Sequence, residues 1–359
     1  MIPELSSFGT HLRGCITSGF PEERFGALAL ELFALQFAAN PSYRKLCESR
    51  GLNPANVTDW TQIPAVPAAA FKEFEMTCLT PTERTAVFHS SGTTGQVPSR
   101  HFHCVESLAL YEASLWTWFA KHFQSVIPQS VIFLTPPPEQ APYSSLVHMF
   151  ETVRNKMGGT FMGQADSAGA WTLDFTAALA ALSPDAKLET QTPKLILGTA
   201  FSFVHLLDHL AEQDLHLRLP AGSRVMETGG YKGRSRALPR AELHALITER
   251  LGVPESHIIC EYGMSELSSQ AYDVADEKRN VEKRPFRFPS WVRVQIISSE
   301  TGRPVGEGET GLLRIFDLAN AFSVMAIQTE DLAFRRGDGF ELIGRAQAAE
   351  PRGCSLMTT

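Results

Sequence analysis

The chain has 359 residues, of which 43% are hydrophobic and 20% charged, with a formal net charge of −7 at pH 7. This composition is typical of a globular protein with a sizeable core and argues against a disordered chain. The negative charge, with no basic tract, disfavours nucleic acid or an anionic membrane surface as the main partner.

The N-terminus indicates where in the cell the protein is found, and the cysteines indicate whether disulfides or a zinc site are expected. Met1-Ile2-Pro3-Glu4-Leu5 lacks the basic and apolar regions of a secretory signal, and no stretch approaches the length of a membrane span. We therefore expect a cytoplasmic protein. The six cysteines are scattered with no CxxC pair, which suggests neither a disulfide framework nor a zinc site.

Residues 1–83 are interpreted as a helical N-terminal segment followed by a proline-rich connection, both part of the main domain. Dense apolar residues at 25–37, after Pro21-Glu22-Glu23, predict a helix that begins with proline and acids. The connection contains Asn53-Pro54, Ile63-Pro64-Ala65-Val66-Pro67 and Phe71-Lys72, which favour extended backbone.

Residues 84–288 alternate short apolar runs with longer amphipathic ones, which predicts an α/β core. The predicted strands lie at 85–89, 130–134, 194–197, 224–227 and 257–261. The predicted helices lie at 106–123, 144–156, 203–212 and 240–251. Ligand groups should collect where strands lead into helices, because open parallel sheets bind at the carboxyl ends of their strands.

Residues 289–345 change to strand-like runs joined by Gly- and Asp-rich turns, which predicts a smaller β-rich subdomain. The predicted strands there lie at 291–297, 311–316, 323–327 and 340–343. Residues 346–359 are predicted to be a flexible C-terminal tail that contains Cys354.

An apolar strand, Ala86-Val87-Phe88-His89, runs into six small or hydroxyl residues: Ser90, Ser91, Gly92, Thr93, Thr94 and Gly95. Such a loop can close around phosphate, because glycines allow close approach and amides and hydroxyls supply donors. It is not a Walker A loop, since Gln96 and Val97 follow Gly95. Taken alone, it is equally consistent with a flexible turn.

Three further motifs follow in the chain. They are Ile259-Cys260-Glu261-Tyr262-Gly263-Met264-Ser265-Glu266, Thr329-Glu330-Asp331-Leu332 and Gly344-Arg345. Together with the Ser- and Gly-rich loop, and in this order, they resemble the motifs of the adenylate-forming superfamily, which includes acyl-CoA ligases and luciferases. The resemblance covers residues 85–345 and implies ATP-dependent activation of a carboxylate, with Mg²⁺ as a cofactor.

The resemblance implies roles in phosphate chemistry. A carboxylate must displace pyrophosphate from ATP, so charge builds on phosphoryl oxygens and needs donors and a cation. Ser90, Ser91, Gly92, Thr93, Thr94 and Gly95 would hold the β- and γ-phosphates, Ser265 the α-phosphate, and Glu266 the Mg²⁺. The superfamily's loop lysine is missing, which leaves Arg100, Lys232 or Lys72 as the basic group.

Other roles concern the nucleoside and the acid. Tyr262 and Gly263 would lie on one side of adenine and Gly229 and Gly230 on the other. Asp331 would accept from the ribose hydroxyls with help from Arg345. His148 sits roughly where the superfamily keeps a residue near the substrate carboxylate, although a helix histidine with a structural partner explains it equally well.

The C-terminus separates this chain from most of the superfamily. Only fourteen residues follow Gly344-Arg345, whereas typical members continue into a mobile domain with a catalytic lysine. We therefore expect the large N-terminal domain alone: layered α/β sheets plus a small β-rich subdomain. Several features together resemble the LuxE-like acyl-protein synthetases. They are this short ending, in which Gln347 replaces the hinge acid, the 63–67 and Phe71-Lys72 segments, and Leu197-Gly198-Thr199-Ala200-Phe201.

In that family an acyl group, usually a fatty acyl, passes from acyl-AMP to a cysteine near the C-terminus as a thioester, for delivery to an acyl reductase. Cys354 is the cysteine in this position, with Arg352 near enough to favour a thiolate. The alternative is an inert cysteine in a tail.

Three alternatives remain open at this point. One is a compact acyl- or aryl-CoA ligase with CoA as acceptor, and another is a non-catalytic partner that binds nucleotide or acyl groups. The third is a metal site at His101-Phe102-His103-Cys104, where possible ligands alternate along the chain. A structural strand explains this segment better.

Overall fold

The computed structural model describes residues 2–90, 97–123, 130–167, 169–183, 192–231, 235–273 and 284–345. The helices are α1 (Pro3–Ser18), α2 (Phe25–Ala39), α3 (Pro41–Ser49), α4 (Ala70–Glu73), α5 (Val105–Phe123), α6 (Ser145–Met157), α7 (Phe175–Leu182), α8 (Ala200–Glu212) and α9 (Arg240–Leu251). The strands are β1 (Val66–Pro67), β2 (Ala86–His89), β3 (Arg100–His103), β4 (Ser130–Phe133), β5 (Thr160–Phe161), β6 (Gly163–Ala165), β7 (Trp171–Leu173), β8 (Lys194–Thr199), β9 (Arg224–Thr228), β10 (Ile258–Tyr262), β11 (Ala271–Asp273), β12 (Phe286–Arg287), β13 (Val292–Ile297), β14 (Thr310–Asp317), β15 (Ala326–Arg336) and β16 (Gly339–Arg345).

One large mixed sheet organises the described chain. Twelve of the described strands belong to it, in the order β13-β14-β15-β16-β12-β11-β10-β9-β8-β4-β5, with β1 paired to β15. The half from β5 to β10 is parallel, and the half from β10 to β13 is antiparallel. The fold is therefore α/β, as the sequence predicted.

Helices cover both faces of the parallel half, which explains why its strands are apolar throughout. Successive side chains of a strand point to opposite faces. In β8, Leu195 and Leu197 accordingly pack with residues of α5 and α6, whereas Ile196 packs with residues of α7, α8 and α9. The N-terminal helices instead share a core with the antiparallel half.

The N-terminal segment is tied to a part of the chain that is distant in sequence. Val66 and Pro67 of β1 pair in parallel with Ile327 and Gln328 of β15. The buried side chain of Gln36 in α2 donates to the carbonyls of residues 320 and 321 and accepts from the amide of residue 325. These bonds hold residues 318–325 against the helices.

Most predicted elements are confirmed within a few residues, and the 240–251 helix coincides with α9. The strand predicted at 323–327 was wrong: residues 318–325 are irregular, and β15 runs from Ala326 to Arg336. The Thr329-Glu330-Asp331-Leu332 motif therefore lies within a strand. Helix α1 lies in the segment predicted to be helical, but its bounds were not predicted. The boundaries proposed at residues 84, 289 and 346 stay predictions, and the sheet itself continues through β13–β16.

In the part of the chain that the structure describes, no helix combines the length and the apolar character needed to cross a membrane.

Candidate active site

A large cavity opens where the parallel strands end. Its volume is about 1360 Å³, and its walls include the residues that follow β8, β9 and β10: Thr199 to Phe201, Gly229 to Tyr231, and Gly263 to Glu266. This is the edge at which a parallel sheet is expected to bind ligands.

The cavity gathers motifs that are far apart in the sequence. The predicted site residues among its lining are Ser90, Gly229, Gly230, Tyr262, Gly263, Ser265, Glu266 and Asp331. Lys72 also lines it. Ser91, Gly92, Thr93, Thr94, Gly95, Lys232 and Cys354 lie outside the described residues, as does the side chain of Arg345. The backbone of Arg345 in β16 pairs with Asp331 of β15, so these two motifs are neighbours.

Tyr262 and Asp331 are joined directly. The Tyr262 hydroxyl donates to Oδ2 of Asp331 at 2.7 Å, and both residues are buried. The Tyr262 ring makes an edge contact with Phe340, at 5.5 Å between centroids. This packing holds an aromatic ring and a carboxylate together at the cavity wall.

The segment that carries Ser265 and Glu266 is held by residues 317–320. The Asn320 side chain donates to the Glu266 carbonyl at 2.7 Å. The two oxygens of Asp317 accept from the amide of Ser268 and the hydroxyl of Ser269. Burial raises the pKa of Asp317 to about 6, although these donors act in the opposite direction. Glu266 is itself buried, so its position is set by packing as well as by these bonds.

His101 supports the same segment from β3. Its Nδ1 lies 2.8 Å from the Ser265 carbonyl, and burial lowers its pKa to about 4, which keeps the ring neutral at pH 7. A carbonyl only accepts, so Nδ1 carries the proton and donates. The expectation that His101-Phe102-His103 is a strand is confirmed by β3.

Ser90, which begins the predicted phosphate loop, is hydrogen-bonded to Ser99, which lies beyond the end of that loop. The Ser90 amide donates to the Ser99 carbonyl at 3.3 Å, and the Ser99 amide donates to Oγ of Ser90 at 2.9 Å. The flanking strands, β2 before Ser90 and β3 after Ser99, pair as antiparallel strands. The His89 ring stacks on Tyr143 at 4.8 Å, and both residues line the cavity.

Arg100 and His148 do not line the cavity. The Arg100 guanidinium lies 5.9 Å from the Phe102 ring centroid. His148 Nε2 lies 3.2 Å from a carboxylate oxygen of Glu112, and its ring packs against Phe88 and Tyr111. The alternative explanation of His148, a helix histidine with a structural partner, describes this position.

Two polar residues at the ends of neighbouring strands were not singled out from the sequence. Thr228 of β9 donates to the Glu261 carboxyl of β10, and both line the cavity. Glu261 is buried, and this burial raises its pKa to about 7. The carboxyl is therefore partly neutral near pH 7.

A second buried polar group was also missed. Glu227 of β9, His244 of α9 and Cys260 of β10 meet near one side of the cavity, which all three line. The Asp273 carboxylate accepts from the Cys260 amide and pairs with Arg240. Burial raises the pKa of the Cys260 thiol well above its usual range, and the Glu227 carboxylate adds to the effect. A glutamate directly after Val225 and Met226 of the predicted strand was the available signal.

The remaining wall of the cavity is more apolar. Its large side chains are Tyr143, Leu146, Met149, Trp171 and Phe201. The cavity therefore offers apolar as well as polar side chains to a ligand.

The fold is that of the adenylate-forming ligases. A 2-hydroxyisobutyryl-CoA ligase solved with 2-HIB-AMP and CoA superposes with a TM-score of 0.63 at 12% identity, over 91% of this chain and 71% of that one. A luciferase-like enzyme from the nonluminescent mealworm Zophobas morio gives a TM-score of 0.51 at 16% identity, over 83% of this chain and 64% of that one.

Sequence relatives narrow the class. A long-chain-fatty-acid–luciferin-component ligase of Vibrio harveyi is 23% identical over 333 residues, or 88% of this chain and 82% of the relative. The enzyme of the same name from Aliivibrio fischeri is 24% identical over 173 residues, or 45% of this chain and 44% of the relative. The family model for acyl-protein synthetase, LuxE, matches residues 22–359. The chain therefore belongs to the LuxE acyl-protein synthetase family and is a ligase.

Proposed function

We propose that the protein activates a long-chain fatty acid with ATP and then passes the acyl group to Cys354. In the first step, a carboxylate oxygen attacks the α-phosphorus of ATP, the bond to the β-phosphate breaks, and pyrophosphate leaves. The observation that carries this proposal is the convergence of Tyr262, Asp331 and Glu266 on one cavity at the ends of parallel strands.

The nucleoside would bind between the segments that follow β9 and β10. Adenine would lie between Gly229-Gly230 and Tyr262, where glycines leave space for a flat base. Asp331 would accept from the ribose hydroxyls. A carboxylate has about four acceptor positions, so the bond from Tyr262 still leaves it able to do so. The position of Arg345 beside Asp331 supports the role expected for it.

The phosphates would bind beside Ser90 and Ser265. We retain the roles expected for Ser91 to Gly95, and we favour Lys72 among the candidate cations because it lines the cavity, unlike Arg100. Lys232 stays a prediction. Glu266 fits a Mg²⁺ ligand, because its buried carboxylate lines the cavity and oxygen ligands suit this ion. When bound, Mg²⁺ supplies positive charge to the phosphoryl oxygens.

Two different arguments support the proposed identities of the acid and of its final acceptor. The apolar wall of the cavity and the names of both relatives support a long fatty acid. The family and the position of Cys354 support acyl transfer to this thiol as a thioester and then to an acyl-accepting partner protein, such as an acyl reductase.

Exchange of labelled pyrophosphate into ATP tests the activation step. We expect exchange that requires both Mg²⁺ and acid and that increases with chain length toward long fatty acids. An absence of exchange with every acid would support the alternative of a non-catalytic binding protein.

Labelling with acid and ATP tests the transfer step. We expect a hydroxylamine-labile acyl adduct on the wild type and on Cys15→Ser, which changes another cysteine that is not fully buried. Cys354→Ser should lose the adduct. Full labelling of Cys354→Ser, or turnover that depends on CoA and survives this change, would instead support a CoA ligase.

A further inference from the structure

Three metal-binding side chains meet in the buried group beside the cavity. Glu227, His244 and Cys260 are 4%, 2% and 3% exposed. Each offers one ligand atom, and these atoms all lie within 4.8 Å of one another. Within the described residues, no other set of three or more His, Cys, Asp or Glu side chains meets this condition.

Two of the three distances between the ligand atoms resemble those around a tetrahedral ion. His244 Nε2 lies 3.4 Å from Oε1 of Glu227 and 3.7 Å from Sγ of Cys260. Bonds of about 2.0–2.3 Å to zinc place tetrahedral ligand atoms about 3.3–3.8 Å apart. The Cys260 thiol donates to the Glu227 carboxylate, and these two atoms are closer together, at 2.5 Å. An ion that displaced this proton would require them to separate by about 1 Å.

Rigid elements hold all three ligands. Cys260 and Glu227 are directly opposite each other in the parallel pair β10 and β9. His244 comes from α9, which packs on the sheet through Leu243 and Ile247. Sites on helices and strands are positioned more accurately than sites on loops.

The charges suit a divalent ion. A thiolate and a carboxylate together offset two positive charges, and imidazole adds a neutral ligand. Arg240 is a cation that interacts with Cys260 and Glu227, but its guanidinium is paired with Asp273, which Arg284 also contacts. Thiolate and imidazole favour zinc-like ions over Mg²⁺. All three residues line the cavity, so a fourth ligand can come from it.

We propose that Glu227, His244 and Cys260 form a binding site for a divalent transition metal ion of the zinc type, with a further coordination position open to the cavity. This ion is chemically distinct from the Mg²⁺ proposed at Glu266. The sequence pattern could not reveal it, because the ligands come from three elements and form no CxxC pair.

Cobalt titration of the chelator-treated full chain tests the proposal. Co²⁺ bound to a thiolate gives a charge-transfer band in the near ultraviolet, and Zn²⁺ should displace it. We expect one equivalent per chain in the wild type. Cys260→Ser should lose the band. His244→Gln and Glu227→Gln should weaken metal binding by more than about 100-fold, which is more than the loss usually seen when a residue that only hydrogen-bonds to a metal ligand is changed.

The matched control is Cys78→Ser, which changes a buried cysteine outside this group and should keep the band. Zn²⁺ should also raise the Tm of the wild type and of Cys78→Ser, but not that of Cys260→Ser. Circular dichroism checks that each variant is folded. If Cys260→Ser does not fold, the metal affinities of His244→Gln and Glu227→Gln test the proposal in its place.

Two results would overturn the proposal. One is a folded wild type without a thiolate band or a Zn²⁺-dependent rise in Tm. The other is a band that survives in Cys260→Ser or that persists at full affinity in both His244→Gln and Glu227→Gln. The titration uses neither ATP nor acid, so its failure is distinct from a failure of the acyl-activation proposal.

Discussion

The hydroxyl of Tyr262 donates a 2.7 Å hydrogen bond to Oδ2 of Asp331, which joins residues 69 positions apart. Tyr262 ends β10, the strand at which the pairing changes from parallel to antiparallel, and Asp331 lies in β15 of the antiparallel half. The bond fixes the aromatic ring and the carboxylate relative to each other before any nucleotide binds. Such prior positioning reduces the entropy lost on binding.

Tyr262→Phe should raise the KM for ATP by about tenfold, because a hydrogen bond to a charged group contributes about 1.5 kcal/mol or more. The ring that would contact adenine remains, so kcat should change less. Initial rates of pyrophosphate exchange at varied ATP measure both constants.

Tyr43→Phe is the matched control. Its buried hydroxyl donates to the Pro64 carbonyl, outside the cavity. This variant should lose stability while its KM for ATP stays unchanged. Equal KM values for Tyr262→Phe and wild type would contradict the role given to this bond.

Glu266→Gln should reduce acid-dependent pyrophosphate exchange by at least about 100-fold, because a neutral amide neither offsets the charge of Mg²⁺ nor holds it firmly. The Mg²⁺ concentration needed for half-maximal exchange should rise as well. Glu112→Gln provides a control, since this carboxylate is 45% exposed and paired with His148 outside the cavity. Unchanged Mg²⁺ dependence in Glu266→Gln would rule out Glu266 as a ligand.

Glu261 should make stability depend on pH. Burial raises its pKa from about 4.5 to about 7, so the native state holds a proton that the unfolded state releases. The stabilisation is complete below about pH 4.5 and is lost as pH rises through about 7. Glu261→Gln mimics the neutral form and should therefore gain stability relative to wild type as pH rises, by up to about 3 kcal/mol.

Urea denaturation of both proteins at several pH values from 5 to 8 measures this difference. Comparison with the variant isolates Glu261 from other buried groups such as Asp317, whose pKa is also raised. A difference between wild type and Glu261→Gln that does not change with pH would contradict the raised pKa.

Gln36→Ala should lower the free energy of unfolding by about 2–4 kcal/mol, because it removes a buried donor from two carbonyls and a buried acceptor from one amide, and among the described residues only the Asn320 carbonyl keeps another donor, the Ser323 amide. Chemical denaturation measures the loss. Gln213→Ala removes an exposed glutamine and should stay within about 0.5 kcal/mol of wild type. Equal stabilities for the two variants would show that Gln36 does not anchor residues 320–325.

Local patterns predicted much of the fold because the parallel strands are short apolar runs between amphipathic helices. The strand predicted at 224–227 is β9, found at Arg224–Thr228, and the helix predicted at 240–251 is α9. The error at 323–327 has a tertiary cause: Gln36, nearly 290 positions away, holds this apolar segment in an irregular conformation. No local pattern contains that information.

The candidate site was predictable to a similar degree. Motifs at the ends of β9 and β10 converge because parallel strands end at the same edge. The Tyr262 to Asp331 bond and the meeting of Glu227 with His244 and Cys260 depend on strand register and helix packing, which the motifs do not encode. The cytoplasmic location and the role of Cys354 stay predictions.

The pairing of β1 with β15 has a consequence for synthesis. Residues 66 and 67 find their strand partner only at residues 327 and 328, and Gln36 finds its partners only at residues 320–325. A chain emerging from the ribosome can already pack α1 against α5, but β1 and Gln36 have no native partner until residues 320–328 have been made. The surfaces that these late partners cover in the native state stay exposed during that interval, and exposed apolar surface makes a partly synthesised chain prone to aggregate.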